Sequence, residues 1–314
     1  MRILVTGGAG FIGSHLSARL LGNGHEIAIL DDLNDYYSPE FKRRNLACVQ
    51  AAGACRFVEG DICDAALVDS LADEFRPEAI VHLAARAGVR PSLEQPLLYE
   101  RVNVGGTAVL LEAARRVGCA KFILASSSSI YGVANRIPFS EEDTSNLPIS
   151  PYAATKLAAE KYCYTYSHLY GIQTVCLRFF TVYGPRQRPD LAIRKFMERM
   201  EAGQPIPLFG DGSMGRDYTF IEDIIDGVVA SLGLETPYDV INLGNSSPVG
   251  LLDMVRTIEG ALGKQARIEW KPDQPGDVPI TFADISKAKR LLGYAPATPF
   301  ARGIERQVAW MRSQ

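Results

Sequence analysis

The chain has 314 residues, of which 47% are hydrophobic and 22% charged, and its formal net charge is −3. This balance is typical of a globular protein long enough for two lobes, and without a basic tract no nucleic-acid partner is expected. No apolar run reaches the roughly 20 residues that a membrane-spanning helix needs, so we expect no membrane association. The six cysteines and four histidines are dispersed without a CxxC pair. We therefore expect reduced thiols in a cytoplasmic protein and no metal site.

The chain opens with a strand at residues 3–5 and a glycine-rich turn. Gly7, Gly10 and Gly13 form a GxxGxxG pattern before a helix predicted over residues 14–22. Glycines at such a turn let the helix N-terminus approach a pyrophosphate. Because this motif begins almost at the first residue, it leaves no room for a signal peptide.

The second predicted strand, residues 26–30, ends in two acidic residues. Asp31 and Asp32 follow the glycines by roughly 20 residues, where a carboxylate can accept hydrogen bonds from a ribose diol. An acid here would repel a 2′-phosphate, so the pattern favours NAD over NADP. The nearby basic run Lys42-Arg43-Arg44 is interpreted as a solvated helix face.

Further strands and helices alternate up to residue 180. Strands are predicted over residues 56–62, 79–85, 121–125 and 174–179, with a helix over 103–117. Such alternation predicts an α/β fold with a doubly wound parallel sheet of the Rossmann type, which binds ligands at the carboxyl edge of its strands. Asp61 and Ile62 are expected to border an adenine, and the small residues 83–85 to let a dinucleotide lie against the backbone. His82, inside an apolar strand, is interpreted as a core histidine.

Beyond residue 180 the alternation fades. A loop rich in proline and arginine at residues 181–189 predicts the start of a smaller mixed α/β lobe, so the expected domains are 1–180 and 181–314. A strand near 240–244 is expected to return to the main sheet. Helices are predicted over 251–262 and 286–292.

Hydroxyl and phenol side chains follow the predicted strand 121–125. Residues 126–129 are four consecutive serines that should face the cleft at the edge of the sheet. Tyr152 and Lys156 come next, on a helix entered through Ser150-Pro151 and ending near residue 170. Their spacing of four places them on one helix face, and a neighbouring ammonium is predicted to lower the pKa of the phenol. Such a tyrosine can take a proton from an alcohol.

These elements together resemble the extended short-chain dehydrogenases, in their branch of NAD-dependent nucleotide-sugar epimerases and dehydratases. The resemblance covers essentially the whole chain and includes Arg216-Asp217-Tyr218 and Gly276-Asp277. It implies that the N-terminal lobe holds NAD and the C-terminal lobe a nucleoside-diphosphate sugar. It also implies that Tyr152 is the base, that Lys156 tunes it and binds a ribose, and that Ser127 aligns or relays the proton.

The resemblance and the pattern together define the candidate site. The candidate cofactor contacts are Gly7, Gly10, Phe11, Ile12, Gly13, Asp31, Asp32, Asp61, Ile62, Leu83, Ala84, Ala85, Arg86, Asn103, Ser126, Tyr152, Lys156 and Phe180. The candidate substrate contacts are Ser127, Ser128, Ser129, Tyr152, Thr181, Arg188, Phe209, Arg216 and Asp277.

The residues at two of the serine positions differ between the enzymes of this branch that catalyse different reactions. The 4,6-dehydratases carry an Asp-Glu pair where this chain has Ser128 and Ser129, and UDP-glucuronate decarboxylases typically carry a Glu at the position of Ser129. By this resemblance, 4-epimerisation is the reaction of the branch that the chain is expected to catalyse. The segments 35–39, 87–90, 180–190 and 274–279 look most like UDP-glucuronate 4-epimerases.

The sugar carboxylate would need several donors. Ser128, Ser129 and Thr181 can supply neutral ones, and Arg188 a charge-assisted contact to either the carboxylate or the nucleotide. UDP-glucose 4-epimerases usually carry Asn at the position of Thr181 and commonly an Arg near Gln274.

Two other classes of function remain open at this point. The chain could be a UDP-glucose or UDP-N-acetylhexosamine 4-epimerase, or a non-catalytic NAD-binding regulator. Arg216 is assigned to the diphosphate by resemblance, with a surface ion pair to Asp217 as the alternative. The resemblance also implies a homodimer through the helices near 103–117 and 151–170, whose apolar faces could instead pack on the sheet.

Overall fold

The computed structural model describes residues 1–133, 136–144, 146–272 and 280–314. The strands are β1 (Arg2–Thr6), β2 (Glu26–Asp31), β3 (Arg56–Glu59), β4 (Ala79–His82), β5 (Lys121–Ser127), β6 (Gln173–Phe179), β7 (Thr181–Tyr183), β8 (Ile206–Phe209), β9 (Gly215–Phe220), β10 (Tyr238–Leu243), β11 (Pro248–Gly250), β12 (Ile268–Lys271) and β13 (Ile280–Thr281). The α-helices are α1 (Phe11–Gly22), α2 (Pro39–Ala52), α3 (Ala65–Phe75), α4 (Val89–Glu94), α5 (Pro96–Tyr99), α6 (Gly106–Val117), α7 (Pro151–Tyr170), α8 (Ala192–Glu201), α9 (Ile221–Leu232), α10 (Leu251–Leu262), α11 (Ser286–Leu292) and α12 (Phe300–Arg312). A π-helical turn spans Glu100–Gly105 and a 3-10 turn spans Ser128–Tyr131.

Seven parallel strands form the main sheet, in the order β10-β6-β5-β4-β1-β2-β3. Its strands are apolar on both faces, since Ile3 and Val5 pack in the same core as α1 and α9, whereas Leu4 packs in the core of α3, α6 and α7. A parallel sheet covered by helices on both faces needs such continuous apolar strands. The predicted doubly wound Rossmann-type fold is therefore confirmed.

The later part of the chain builds two small sheets. One contains β11, β9 and β13, with β7 paired to β9, and the other pairs β12 with β8. The strand expected to return to the main sheet is β10, which lies parallel to β6 with Val240 opposite Cys176. Among the described residues, no helix is both long enough and apolar enough to cross a membrane.

Several predicted element bounds were wrong at the edge of the sheet, where for example β5 ends at Ser127 and not at residue 125. Helix α1 begins at Phe11 and not at residue 14, because Gly10 already serves as its N-cap. Strand β3 ends at Glu59 rather than at residue 62, and the N–H of Gly60 makes the last bond to β2, to the carbonyl of Asp31. Strand β4 ends at His82 rather than at residue 85. These errors matter because the residues that follow the strands, together with those of the glycine-rich turn, border a cleft at this edge.

Candidate functional site

A cleft with a volume of about 410 Å³ lies at the carboxyl edge of the main sheet. This is the edge at which doubly wound sheets bind ligands. It brings together these candidate cofactor contacts: Gly7, Gly10, Phe11, Ile12, Gly13, Asp31, Asp32, Asp61, Ile62, Leu83, Ala84, Ala85, Arg86, Ser126, Tyr152, Lys156 and Phe180. It also brings together these candidate substrate contacts: Ser127, Ser128, Ser129, Tyr152, Thr181 and Arg188.

The turn from β1 to α1 leaves no space for side chains at two glycines. Gly7 has a φ of +70°, and a Cβ at Gly13 would lie 2.1 Å from the Gly7 carbonyl oxygen. Because α1 begins at once after Gly10, the N–H groups of its first turn lie at the wall of the cleft. Such N–H groups favour an anion such as a pyrophosphate.

The acid after β2 is held in place by backbone donors. Asp31 accepts hydrogen bonds from the N–H of Ala9 at 3.1 Å and of Leu33 at 3.0 Å. Burial raises the pKa of its carboxyl, and the ammonium of Lys42 opposes that rise.

The interpretation of the whole basic run as a solvated helix face was wrong for Lys42. This lysine is buried, with its Nζ 3.7 Å from Asp31 and 3.8 Å from Asp32, and it lines the cleft. Its neighbours Arg43 and Arg44 are exposed, as expected, and Arg44 pairs with Glu40. The helix α2 therefore points one of its three cations at the acidic end of the cleft.

These features fit a dinucleotide with an unmodified ribose. The side-chain-free turn suits a pyrophosphate, and the paired carboxylates of Asp31 and Asp32 suit hydroxyl donors better than a phosphate. One cation is shared between two acids, so Lys42 leaves no excess positive charge at this end. The donor set agrees with NAD.

Helix α7 begins beside the sheet edge because of its cap. Ser150 accepts a hydrogen bond from the N–H of Ala153 at 3.2 Å, and Pro151 occupies the first turn. One turn further, the buried Nζ of Lys156 donates to the carbonyl of Ala125 at 2.9 Å. Burial lowers the pKa of the Lys156 ammonium to about 8.

The sequence predicted a lowered pKa for the phenol of Tyr152, and this prediction was wrong for the chain alone. Burial raises the pKa of Tyr152, and the hydrogen bond with Ser127 and the charge of Arg188 oppose the rise without overcoming it. The ring of Tyr99 packs edge-on against Tyr152, with centroids 6.3 Å apart. Desolvation thus outweighs the neighbouring charges.

The four serines have different roles. Ser126 donates to Glu160 at 2.5 Å, so its hydroxyl is engaged away from the cleft although the residue lines it. Ser127 accepts a hydrogen bond from the N–H of Ser129 at 3.2 Å. Ser128 and Ser129 begin the 3-10 turn and line the cleft half-buried. Three hydroxyls, of Ser127, Ser128 and Ser129, therefore border the space beside Tyr152.

Arg188 is held by a carboxylate two residues later. Its Nε and Nη2 donate to Asp190 at 3.0 and 2.7 Å, a bidentate pair. Its guanidinium also lies 5.4 Å from the centroid of the Tyr36 ring. The Nε and Nη2 edge of the Arg188 guanidinium is therefore already used within the chain.

Three of the described candidate residues, Asn103, Phe209 and Arg216, lie elsewhere. Asn103 is buried in the π-helical turn. Its side-chain oxygen accepts from the N–H of Arg86, and its side-chain nitrogen donates to the carbonyl of Arg86 and to the hydroxyl of Thr155. Phe209 ends β8 beneath the guanidinium of Arg90, 5.1 Å away. Neither residue lines the cleft described above. Asp277 lies outside the described residues.

Arg216 is on β9 and does not line that cleft either. One of its guanidinium nitrogens donates to the carbonyl of Gly215 at 2.9 Å. The alternative of an ion pair with Asp217 was wrong, because the buried carboxylate of Asp217 accepts instead from the N–H groups of Asn245, Ser246 and Ala283.

Several lining residues were absent from the predicted site. They come from several strands, helices and loops, where only a three-dimensional contact distinguishes a lining residue from one that lies elsewhere. They are Asn34, Tyr36, Tyr37, Lys42, Gly60, Ala87, Gly88, Val89, Val102, Ala125, Phe179, Val182 and Leu191. Only the resemblance to UDP-glucuronate 4-epimerases drew attention to the run Asp35-Tyr36-Tyr37 in the sequence.

Comparison with known proteins identifies the family of this chain. The family described as GDP-mannose 4,6 dehydratase matches residues 4–307. A UDP-glucuronate 4-epimerase of Thermodesulfobacterium geofontis is 41% identical, over 98% of this chain and 95% of that protein.

Two solved structures are close to this fold. A UDP-glucuronic acid 4-epimerase of Bacillus cereus, in complex with UDP-glucuronic acid and NAD, has a TM-score of 0.93 and 37% identity, covering 100% of this chain and 99% of that one. A UDP-glucose 4-epimerase of Thermotoga maritima with UDP-glucose has a TM-score of 0.92 and 31% identity, with the same coverage. The chain therefore belongs to the GDP-mannose 4,6-dehydratase family, among the epimerases of the short-chain dehydrogenase type.

Proposed function

We propose that this protein catalyses the NAD-dependent 4-epimerisation of a UDP-sugar, with UDP-glucuronate as substrate and UDP-galacturonate as product. The observation that carries the proposal is that Ser127, Tyr152 and Lys156 line the same cleft as the glycine turn and the acids after β2. The adjoining wall consists of hydroxyls at Ser128 and Ser129.

The cofactor is NAD, which supplies a reversible hydride acceptor when bound. In the proposed reaction, Tyr152 would take the proton of the C4 hydroxyl as the C4 hydride leaves to the bound cofactor, and would return that proton to the C4 oxygen when the hydride comes back to the opposite face of C4. Ser127, hydrogen-bonded to that phenol, aligns the proton path. The Lys156 cation, held by Ala125, stabilises the phenolate and offers donors to a ribose. Because burial favours the neutral phenol in the chain alone, the positive charge that oxidised NAD would bring to the cleft would oppose this effect of burial.

Elimination of water would need an acid and a base beside the sugar. In the 4,6-dehydratase pattern those groups occupy the positions of Ser128 and Ser129, and serine hydroxyls do not titrate near neutral pH. The chain therefore lacks the dehydratase chemistry despite the family's name. Epimerisation requires only the groups present.

The proposed preference for glucuronate rests on neutral donors. Ser128, Ser129 and Thr181 border the cleft and can each donate to a carboxylate. Arg188 adds positive charge, but Asp190 already accepts from the Nε and Nη2 edge of its guanidinium. We therefore assign the sugar carboxylate to the hydroxyls, and Arg188 to the nucleotide.

The second candidate is UDP-glucose 4-epimerisation, favoured by the similarity to the Thermotoga maritima structure. Purified protein is mixed with UDP-glucuronate and, separately, UDP-glucose, and the 4-epimer is followed by proton NMR. Faster conversion of UDP-glucuronate supports the proposal, whereas conversion of UDP-glucose alone would replace it. Loss of all conversion with NAD bound would favour a non-catalytic regulator.

The hydroxyl wall predicts the fidelity of the reaction. A 4-keto glucuronate is a β-keto acid and loses carbon dioxide when the breaking bond aligns with the carbonyl. Replacing Ser128 or Ser129 by Ala removes a donor that holds the carboxylate out of that alignment. We expect a UDP-pentose by-product to increase several-fold, measured by NMR of the product mixture. An unchanged product ratio in both variants would contradict this role.

The buried lysine predicts the alkaline limit of activity. Because the pKa of Lys156 is lowered to about 8, its cation is present below that pH and lost above it. We expect kcat/KM to fall about tenfold per pH unit on the alkaline side. The measurement is the pH–rate profile, with folding at each pH checked by circular dichroism. A profile that stays flat to about pH 10, the ordinary range of a lysine, would contradict this assignment.

The assembly and compartment are part of the same proposal. Helix α7 exposes Tyr162 and Leu169, and the adjoining α5 exposes Leu97, so we propose a homodimer through this side. All six cysteines are free, which supports the cytoplasm as compartment. We retain 1–180 and 181–314 as the NAD-binding and sugar-binding domains, with β10 belonging to the first.

A further inference from the structure

Helix α7 contacts the end of β5 at two successive residues. Lys156 donates to the carbonyl of Ala125 at 2.9 Å, and one turn later Glu160 accepts from the hydroxyl of Ser126 at 2.5 Å. The next residue of the strand is Ser127. The same helix carries Tyr152 one turn before Lys156, so these two bonds join the chain segments that bear the phenol and its hydroxyl partner.

Glu160 also has a partner besides Ser126. It is fully buried, and Arg178 on β6 donates to its two oxygens at 2.9 and 2.8 Å. Arg178 is the residue opposite Ser126 in the paired strands. One carboxylate therefore fixes α7, β5 and β6 together directly below the cleft.

The environment of Arg178 completes this arrangement. Its guanidinium lies 4.8 Å from the centroid of the Tyr131 ring, and the Tyr131 hydroxyl donates to Asn242 on β10 at 2.7 Å. Tyr131 ends the 3-10 turn that begins at Ser128. The network thus contacts Ser126, the first of the four serines at residues 126–129 (the serine segment), and Tyr131, two residues after the last of them.

We propose that Glu160 is a positioning residue, which sets the placement of Ser127 relative to Tyr152 through Ser126 and Arg178. This inference rests on the proposed function. Glu160 is not among the residues that line the cleft, so it acts through its neighbours. A buried ion pair is a weak source of stability compared with apolar packing, but its bonds are directional. Two groups that exchange a proton need a fixed orientation, because small misplacements slow catalysis strongly.

The test uses Ser126→Ala, which breaks the bond to Glu160 without leaving an unpaired charge. We expect kcat to fall about tenfold, with KM for UDP-glucuronate and the affinity for NAD within about twofold of wild type. Ser126→Thr keeps the hydroxyl and should restore most of kcat. The matched control is Ser167→Ala on the same helix, which removes a buried hydroxyl that donates to Pro237 at 2.6 Å. This control should lower stability alone.

Three results would overturn the inference. They are an unchanged kcat in Ser126→Ala, an equal loss in Ser167→Ala, or a loss of NAD affinity that accounts for the whole effect. Crystal structures of wild type and Ser126→Ala provide a readout that needs no turnover. We expect the distance between Ser127 Oγ and the Tyr152 hydroxyl to change by more than about 0.5 Å. If wild type fails to convert UDP-glucuronate, the proposed function fails, and this distance alone decides the role of Glu160.

Discussion

Tyr152→Phe is expected to lower kcat by about a thousandfold while leaving NAD bound. The substitution removes the one group that, in the proposed reaction, exchanges a proton with the C4 hydroxyl, and general acid–base catalysis contributes about 10²- to 10⁴-fold. The ring itself remains, so its edge-on packing against Tyr99 is retained. Binding and folding should therefore be close to those of wild type.

Single-turnover rates with UDP-glucuronate, together with NAD content after gel filtration, measure this separation. Tyr170→Phe is the matched control, because this tyrosine is exposed near the end of the same helix. A turnover within threefold of wild type in Tyr152→Phe would remove Tyr152 from the role of base. A variant that loses NAD as well would assign it to cofactor binding.

Gly13→Ala is expected to weaken NAD binding at least a hundredfold. An added Cβ would lie 2.1 Å from the carbonyl oxygen of Gly7 and 2.8 Å from Cα of Gly8, both backbone atoms that no side-chain rotation can move. The turn must open to accommodate it, which displaces the first-turn N–H groups of α1 from the cleft. The pyrophosphate site depends on that backbone.

Isothermal titration with NAD measures this loss, and the rise in melting temperature on adding NAD gives a second reading. Gly22→Ala is the matched control, since Gly22 lies on the same helix and a Cβ there meets nothing within 4 Å. The control should bind NAD as wild type does. Equal affinities of Gly13→Ala and Gly22→Ala would show that the turn is not the cofactor site.

Local patterns were sufficient to predict the sheet and much of the cleft. Apolar strands followed by glycines, acids or serines predicted which edge of the sheet carries the cleft, because the carboxyl ends of parallel strands share one edge. Helix α7 was predicted nearly to the residue, since Ser150 and Pro151 define its start. The placement of Tyr152 and Lys156 beside the serine segment followed from these elements.

Other features depend on contacts between distant segments, which a local pattern does not contain. Lys42 belongs to a polar run, and only the packing of α2 against the end of β2 turns it towards Asp31. The hydroxyl of Ser126 is directed to Glu160 by a helix 34 residues later. The raised pKa of Tyr152 reflects burial, whereas the YxxxK spacing indicates only a neighbouring charge.

The fate of the hydrogen at C4 tests the central claim most directly. UDP-glucuronate is converted by the holoenzyme in D₂O, and the C4 position of the product is examined by NMR and mass spectrometry. A reaction in which the hydrogen taken from C4 returns to the same carbon predicts UDP-galacturonate that carries protium at C4. Deuterium at C4, or the absence of UDP-galacturonate, would contradict the proposed 4-epimerisation.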